Sequence, residues 1–305
     1  MALQYTEKRP TVYRARARVA AIAIQGNGFA SLTLTAPTIA QAARPGQFVT
    51  VVRPSQARPL RTFDTPEAWA AAYRAAPSRA PDSPPLLRRP ISIHRATTQG
   101  QVTLLIRAVG RGTRELAALG PDDYVDVLGP MGNGFELSGD YETAILVAGG
   151  AGLAPMLFLA ESLHRMGKKL VIIAGVKEDF PMPMTVFSDL GAEVLLASES
   201  PIKGVYHGLC SEPLEQFLSR RRQHGQTHRA FACGPWPMLR RVAELCAQHN
   251  VPLQVSLEQR MGCALGACMA CVRKVLDHDG RPQNLRVCTE GPVFDAQKVK
   301  WDECG

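Results

Sequence analysis

Four cysteines near the carboxyl end have the residue type and spacing to bind metal. Cys263, Cys268, Cys271 and Cys288 follow the pattern Cys-x4-Cys-x2-Cys-x16-Cys. This spacing is typical of the thiolate ligands of a [2Fe-2S] cluster, with three sulfurs on one loop and a fourth farther along the chain. Small residues fill the loop and allow backbone N–H groups to turn toward the sulfurs. The pattern therefore predicts a [2Fe-2S] cluster, and with it single-electron transfer.

Other cysteine chemistries fit this pattern less well. A structural zinc site favours two Cys-x2-4-Cys pairs, whereas the last cysteine here stands alone. A disulfide framework belongs to small secreted chains, and a Rieske centre needs two histidine ligands that this loop lacks. Three of the remaining cysteines are interpreted as ordinary core or tail residues: Cys210, Cys246 and Cys304.

The composition is that of a globular protein with several domains. The chain has 305 residues, of which 46% are hydrophobic and 20% charged, so it can bury more than one core. Met1–Pro10 lacks the apolar core of a signal peptide, and reduced cysteines favour the cytoplasm. The long uncharged stretch 143–160 is interrupted by glycines and a proline, so no transmembrane segment is expected.

The net charge of +8 raises the question of nucleic-acid binding. Two basic runs contribute, one at Arg14, Arg16 and Arg18 and one at 220–222. The first alternates with apolar residues as one face of a strand would, and the second lies at a predicted helix end, where cations suit the helix dipole. Neither run carries interleaved aromatic residues, so both are interpreted as solvated faces.

The first part of the chain has the pattern of an antiparallel barrel. Six short segments show strand signals with turns between them. These segments are 13–24, 31–35, 47–52, 89–94, 101–109 and 124–128. The segment 53–87, rich in Pro, Ala and Arg, is interpreted as an insertion, with a short helix predicted from Thr65 to about Tyr73.

From about Tyr141 the pattern changes to alternating strands and helices, which predicts an α/β domain with a parallel sheet. Strands are predicted at 144–148, 170–174, 193–197 and 230–233, and helices at 154–166, 213–221 and 237–249. The predicted domains are therefore a barrel over 1–138, a parallel-sheet domain over 139–255 and a small cysteine module over 256–305.

Two glycine-containing segments follow strands of the predicted sheet. The first, Gly149-Gly150-Ala151-Gly152-Leu153-Ala154-Pro155, joins a strand to a helix, and the second is Cys233-Gly234-Pro235. Glycines permit close backbone approach to a pyrophosphate, and the helix start offers N–H donors. The two segments should meet at the carboxyl edge of the sheet, where ligands bind in such folds.

The barrel carries its own phosphate-binding signals. Arg89-Pro90-Ile91-Ser92 lies on a predicted strand, and Gly112-Thr113 lies in a turn that opens a helix. An arginine fork and a glycine turn would suit a second pyrophosphate. A further turn-rich segment, Leu128–Phe135, ends the barrel.

Taken together, these motifs and their order resemble the ferredoxin–NADP reductase superfamily. With the cysteine module, the closest resemblance is to the electron-transfer subunits of class 1B dihydroorotate dehydrogenases. It covers nearly the whole chain except 53–87. The resemblance implies an FAD-binding barrel, an NAD-binding domain and a [2Fe-2S] module.

The resemblance also implies a role for each matching residue. Ser92 and Cys233 would lie at the reacting centre, Ser92 near the flavin ring and Cys233 near the hydride path. Cofactor-binding residues would be Arg89, Pro90, Ile91, Ser92, Leu105, Ile106, Arg107, Gly112 and Thr113 for FAD, and Gly149, Gly150, Gly152, Pro155, Glu199, Cys233, Gly234 and Pro235 for NAD(H). The cluster ligands would be Cys263, Cys268, Cys271 and Cys288.

The resemblance further implies a partner. Electrons would pass between NAD, FAD, the cluster and the FMN of a catalytic subunit that oxidises dihydroorotate to orotate in pyrimidine biosynthesis, within a heterotetramer. Apolar residues of the cluster loop, Met261, Leu265 and Met269, would face that partner or, as the alternative, pack inward on the cluster. Two alternatives stay open: a reductase subunit of a hydrogenase, sulfur-reducing or transhydrogenase complex, and a non-catalytic binding module stabilised by zinc.

Overall fold

The computed structural model describes residues 11–25, 28–54, 87–178, 180–221, 227–277 and 279–302. The predicted insertion 53–87 falls almost entirely outside the described residues, and so do its Thr65–Tyr73 helix, Met1–Pro10 and Cys304. No helix within the described ranges is long and apolar enough to cross a membrane.

The first part of the chain is a closed antiparallel barrel, as predicted. Its strands follow the order β1-β2-β5-β4-β3-β6 around the barrel. They are β1 (Tyr13–Ile24), β2 (Phe29–Thr35), β3 (Phe48–Val52), β4 (Arg89–Ala96), β5 (Gln101–Arg107) and β6 (Tyr124–Met131). Two short helices accompany them, α1 (Pro37–Ala42) and α2 (Arg111–Ala117).

Strand β1 shows why the barrel forms. Its period-two pattern buries Ala17 and Val19 while Arg14, Arg16 and Arg18 remain exposed. Arg14 and Arg18 form ion pairs with carboxylates near β6, with N–O distances of 2.6 and 2.7 Å. The first basic run is thus a solvated strand face, as the sequence indicated.

The second part is a seven-stranded sheet in the order β10-β9-β8-β7-β11-β12-β15. Every pair in it is parallel except β12 with β15. The strands are β7 (Thr143–Gly149), β8 (Lys169–Val176), β9 (Glu193–Ser198), β10 (Tyr206–His207), β11 (His228–Cys233), β12 (Leu253–Ser256) and β15 (Val293–Asp295). All residues of β7 are buried, as expected for a central parallel strand covered on both faces.

Four helices connect these strands; three lie close to the predicted positions, and the short helix Thr185–Ser188 was not predicted. They are α3 (Met156–Arg165), α4 (Thr185–Ser188), α5 (Ser211–Arg221) and α6 (Trp236–Gln248), and a 3-10 turn over Gly150–Leu153 precedes α3. Because β8 continues the sheet on one side of β7 and β11 on the other, the topology reverses between β7 and β11. The crevice at such a reversal is where open α/β sheets bind ligands.

Helix α3 joins the two parts. Phe158 on α3 is buried in the core of the barrel, while Leu159 and Leu163 are buried against the sheet. An ion pair between Arg95 Nε and Glu161 Oε1 at 2.8 Å adds a polar contact at the same junction. A helix that packs on both the barrel and the sheet must be apolar over most of its surface. In α3, six of the ten residues are buried and apolar.

The cysteine module contains a two-stranded ribbon, β13 (Val272–Leu276) and β14 (Pro282–Arg286). Strand β15 lies inside the predicted module range but extends the large sheet, with Ser256 opposite Val293. The strands β10, β12 and β15 were not predicted, because runs of two to four residues carry too little periodicity. The domain boundaries themselves stay a prediction.

Candidate functional site

Residues of the barrel, the sheet and the cysteine module together line an open cavity of about 280 Å³. Its walls include eight residues that the sequence predicted for cofactors: Pro90, Ile91, Ser92, Leu105, Ile106, Arg107, Thr113 and Cys233. Ala151 and Ala154 also line it and belong to the glycine segment predicted for the nucleotide, whereas Glu258, Gln259 and Met261 of the module were not predicted as cofactor-binding residues. The cavity therefore brings the three predicted units to one place.

On the barrel side, strand β4 contributes Ser92 to the cavity, and β5 contributes Ile106 and Arg107. The Arg107 guanidinium also lies over the ring of Phe29, 5.6 Å from its centroid. Arg89 and Gly112 do not line this cavity but lie side by side in a separate small pocket, since a Cβ on Gly112 would fall 3.0 Å from the Arg89 Cζ. Thr113 Oγ1 hydrogen bonds to the Gly110 backbone at 3.1 Å and secures the turn that opens α2.

On the sheet side, the two glycine-containing segments meet as expected. A Cβ on Gly152 would lie 2.8 Å from the Gly234 nitrogen and would clash with the Cys233 carbonyl. A Cβ on Gly149 would fall 2.9 Å from the Pro235 ring. Close packing of the turns after β7 and β11 therefore requires glycine at 149 and 152. Gly150, with a φ of 53°, occupies the left-handed region that glycine favours.

Pro155 directly precedes α3 and ends the glycine turn. Glu199 lies apart from the cavity, immediately after β9, with an exposed side chain. Its backbone N–H donates to Val176 O at 3.1 Å, and His207 Nε2 lies 3.1 Å from its carbonyl oxygen. The structure thus holds Glu199 at the carboxyl edge of the sheet.

Cys233 is a buried thiol in the wall of the cavity. Burial raises the pKa of Cys233 well above its usual range, the nearby Glu258 carboxylate raises it further, and a hydrogen bond with Ser256 opposes both. Cys233 is therefore a neutral group that shapes the cavity, and it does not ionise as a thiolate nucleophile would.

Glu258 is the charged cavity residue that was not predicted from the sequence. Its side chain is exposed to solvent within the cavity, and the protein atoms around the carboxyl disfavour the charged form and so raise its pKa. It lies two residues beyond the carboxyl end of β12. The signal that could have found it is an acidic residue directly after the alternating segment Leu253–Leu257, at the sheet edge where ligands bind.

The cysteine loop turns its backbone toward one sulfur. Leu265, Ala267 and Cys268 point their N–H groups at Cys263 Sγ, with N–S distances of 3.3, 3.3 and 3.4 Å. Partial burial acts to raise the pKa of Cys263, but these donors prevail and lower it to about 6. To turn this way, the loop places Ala264 and Met269 in the left-handed region, with φ values of 58° and 57°.

The four thiols lie in two pairs, Cys263 with Cys268 and Cys271 with Cys288. Burial, followed by the hydrogen bond and charge of Cys271, raises the pKa of Cys288 to about 12. Among the residues described, no three His, Cys, Asp or Glu side chains gather into a group that could hold a single metal ion. Two thiol pairs, one surrounded by N–H donors, fit the donor chemistry of a two-iron centre.

Arg286 fastens the cysteine loop to the turn that carries Cys288. Its Nη1 donates to Gly266 O at 3.1 Å, and its Nε donates to Glu290 Oε2 at 2.9 Å. Nearby, Asn133 Nδ2 donates to Glu290 O at 2.9 Å, which links the turn to the end of the barrel. The cysteine loop is therefore held at a fixed place relative to the cavity.

The exposed part of the loop is apolar. Leu265 and Met269 have 52% and 50% of their surface exposed. Met261, by contrast, packs on the core and lines the cavity. Of the three residues expected to face a partner, Leu265 and Met269 are therefore exposed and Met261 points inward.

Comparison with known proteins places these features in a family. Residues 258–300 match the model of the iron-sulfur cluster binding domain of dihydroorotate dehydrogenase B. A dihydroorotate dehydrogenase B (NAD(+)) electron transfer subunit from Desulforamulus reducens is 35% identical, with 88% of this chain and 90% of the relative aligned. The subunit of the same name from Bacillus caldolyticus is 39% identical, with 72% and 82% aligned.

A solved structure extends the similarity to the fold. An NADH-dependent reduced ferredoxin–NADP oxidoreductase superposes with a TM-score of 0.72 at 22% identity, covering 94% of this chain and 91% of the other. This likeness confirms the predicted fold class of barrel, parallel sheet and cysteine module. From the identity and coverage of its relatives, the chain belongs to the family of dihydroorotate dehydrogenase B electron transfer subunits.

Proposed function

We propose that this chain carries electrons between NAD(H) and the FMN of a separate catalytic subunit that converts dihydroorotate to orotate. The observation that supports it is the single cavity at which Ser92 of the barrel, Cys233 of the sheet and Met261 of the cysteine module meet. A flavin bound there would exchange electron pairs with NAD and single electrons with a [2Fe-2S] cluster.

The barrel residues would bind FAD. Arg89, placed beside Gly112, would supply a planar cation to the pyrophosphate, with Thr113 securing the turn next to it. Ser92 and Ile106 would contact the ring system in the cavity. FMN has no pyrophosphate for Arg89 to bind. Acid extraction of the isolated chain should therefore release FAD, and release of FMN alone would contradict this assignment.

The sheet residues would bind the nicotinamide nucleotide. The glycine turn and Cys233–Pro235 form the crevice at the topological switch point, and Ala151 and Cys233 face the flavin side. Glu258 offers a carboxyl that can donate or accept hydrogen bonds at the same wall.

The cysteine module would pass single electrons outward. Cys263, Cys268, Cys271 and Cys288 are the ligands we assign, on the basis of their two pairs and the N–H donors around Cys263. The described cysteines are free thiols, which agrees with a reducing compartment such as the cytoplasm.

The partner would dock over the cysteine loop. Leu265 and Met269 give this loop an exposed apolar tip next to two cluster ligands, and a protein interface covers such side chains better than water does. Two copies of each subunit would form the heterotetramer.

The test combines the purified chain with an FMN-containing dihydroorotate dehydrogenase subunit. The chain alone should reduce artificial dyes with NADH but should not oxidise dihydroorotate, and the mixture should show orotate-dependent NADH oxidation. Leu265→Glu should weaken the complex at least tenfold, as measured by equilibrium binding, and leave dye reduction unchanged.

Ile24→Glu is the matched control, since Ile24 is 75% exposed on the barrel, outside the cysteine module. Equal loss of binding in the two variants would contradict docking at the cysteine loop. Orotate-dependent activity from the chain alone would refute the need for a partner.

A further inference from the structure

His94 is a buried polar residue that the proposed function does not use. It lies on β4 two residues after Ser92, so both side chains point out of the barrel from the same face of the strand. In the pairing of β4 with β5, Ile93 lies opposite Leu104 and Arg95 lies opposite Thr103. His94 has no partner on β5, so it forms a β-bulge. A bulge of this kind re-aims a side chain, and it is common next to functional sites.

The His94 ring reaches the glycine turn of the sheet domain. Its Nδ1 lies 2.6 Å from the carbonyl oxygen of Ala154, and only 6% of the residue is exposed. Because a carbonyl oxygen only accepts hydrogen bonds, Nδ1 carries the hydrogen and donates it. Ala154 in turn lines the cavity, as Ser92 does. A single buried hydrogen bond thus joins the two walls of the cavity.

Two other contacts at this junction hold helix α3. Phe158 packs into the barrel core, and Arg95 pairs with Glu161; both sites on α3 lie beyond the glycine turn. On its sheet side the turn packs closely on Cys233 and Gly234, whereas the bond from His94 holds its side toward the barrel. His94 is the side chain of β4 that fixes where this turn ends.

We propose that His94 is a positioning residue that sets the separation of the nicotinamide and flavin sites by anchoring the Ala154 carbonyl to the flavin-side strand. This inference rests on the proposed function, because it assigns the glycine turn to NAD and Ser92 to the flavin. A displacement of about 1 Å between reacting groups costs on the order of 100-fold in rate. Loss of the anchor should therefore slow hydride transfer more than it weakens nucleotide binding.

The experiment measures two quantities on the cofactor-loaded chain. Stopped-flow absorbance gives the rate of flavin reduction by NADH, and equilibrium titration gives the Kd for NAD. His94→Ala should lower the rate at least tenfold and change the Kd less than threefold. His94→Asn places an amide N–H close to the position of Nδ1 and should recover most of the rate, whereas His94→Gln should not.

Arg95→Gln is the matched control, since it breaks the Arg95–Glu161 pair at the same junction without touching the turn. It should leave the rate within twofold of the unmodified chain. Equal slowing by Arg95→Gln and His94→Ala would overturn the proposal, because the junction as a whole would then be responsible. An unchanged rate in His94→Ala would also overturn it.

Hydrogen exchange of the backbone amides over 150–156 provides a readout that is independent of turnover. His94→Ala should speed exchange in this turn, and His94→Asn should restore its protection. If the unmodified chain itself fails to reduce flavin with NADH, the proposed function is wrong, and exchange then decides whether His94 anchors the turn. Unchanged exchange in His94→Ala would refute the anchor in either case.

Discussion

Replacing Gly152 with alanine should impair the reaction with NADH while the flavin and the cluster stay bound. The added Cβ would lie 2.5 Å from the carbonyl carbon of Cys233 and 2.8 Å from the Gly234 nitrogen. Since such atoms normally approach to about 3.5–4 Å, the turn must move by about 1 Å. A shift of that size costs about 100-fold, or about 2.7 kcal/mol, in kcat/KM for NADH. Overpacking should also lower the free energy of unfolding by about 1–3 kcal/mol.

The assay is NADH-dependent reduction of an artificial dye, measured alongside the flavin and cluster absorbance of the same sample. Gly152→Ala should keep both absorbance bands and lose about two orders of magnitude in kcat/KM. Gly120→Ala is the control, because its added Cβ meets nothing closer than an Asp123 oxygen at 4.0 Å. A Gly152→Ala variant with native melting temperature and kcat/KM within threefold of the unmodified chain would refute the reasoning.

Three further predictions follow from the site. Cys268→Ser should abolish the [2Fe-2S] absorbance and EPR signal while flavin stays bound, whereas Cys246→Ala should keep both. Glu199→Gln should raise the kcat/KM ratio of NADPH over NADH by about tenfold, or about 1.4 kcal/mol, because the carboxylate would repel a 2′-phosphate. Burial, and then the charge of Arg95, lower the pKa of His94 against the opposing hydrogen bond to Ala154. Below about pH 6.5 the imidazole of His94 is protonated in the unfolded chain but stays neutral in the folded chain. The free energy of unfolding should therefore fall by up to about 1.4 kcal/mol per pH unit as the pH is lowered.

Each of these has a result that would count against it. A normal cluster signal in Cys268→Ser would remove this cysteine from the ligand set. The control for Glu199 is Glu193→Gln at the opposite end of β9, and equal ratios in the two variants would show that Glu199 does not read the ribose. For His94, denaturation midpoints between pH 7 and 5.5 should fall less steeply in His94→Asn, and parallel curves would exclude His94 as the titrating group.

The parts of the molecule with strong local signals were predictable from the sequence. The period-two alternation of β1 and the uninterrupted apolar run of β7 each specify one kind of strand, and both lie where they were predicted. The cysteine spacing determines how the thiolates can be arranged around a cluster. The family model over 258–300 agrees with the cluster that this spacing predicts. The meeting of the two glycine segments followed from the rule that parallel strands share a carboxyl edge.

Other features depend on contacts between distant residues, which no local pattern encodes. Glu258 matters because the fold places it in the cavity wall close to Cys233, and its neighbours in sequence do not reveal that position. His94 is one hydrophilic residue on a strand until the fold brings the Ala154 carbonyl to it. Met261 was expected at a partner surface, but the fold turns it into the cavity.

The pairing of β15 with β12 determines how late in synthesis the large sheet can complete its folding. Ribosomes deliver the chain from its amino end, and domains generally fold as their residues emerge. The sheet cannot gain its last strand until Val293–Asp295 has been synthesised, and by then all four cysteines, the last of them Cys288, are present. Completion of the sheet and delivery of the metal ligands therefore fall in the same late interval of synthesis. A nascent chain interrupted before β15 would have an unpaired sheet edge at β12. Its cysteine module would lack the strand that joins it to the sheet.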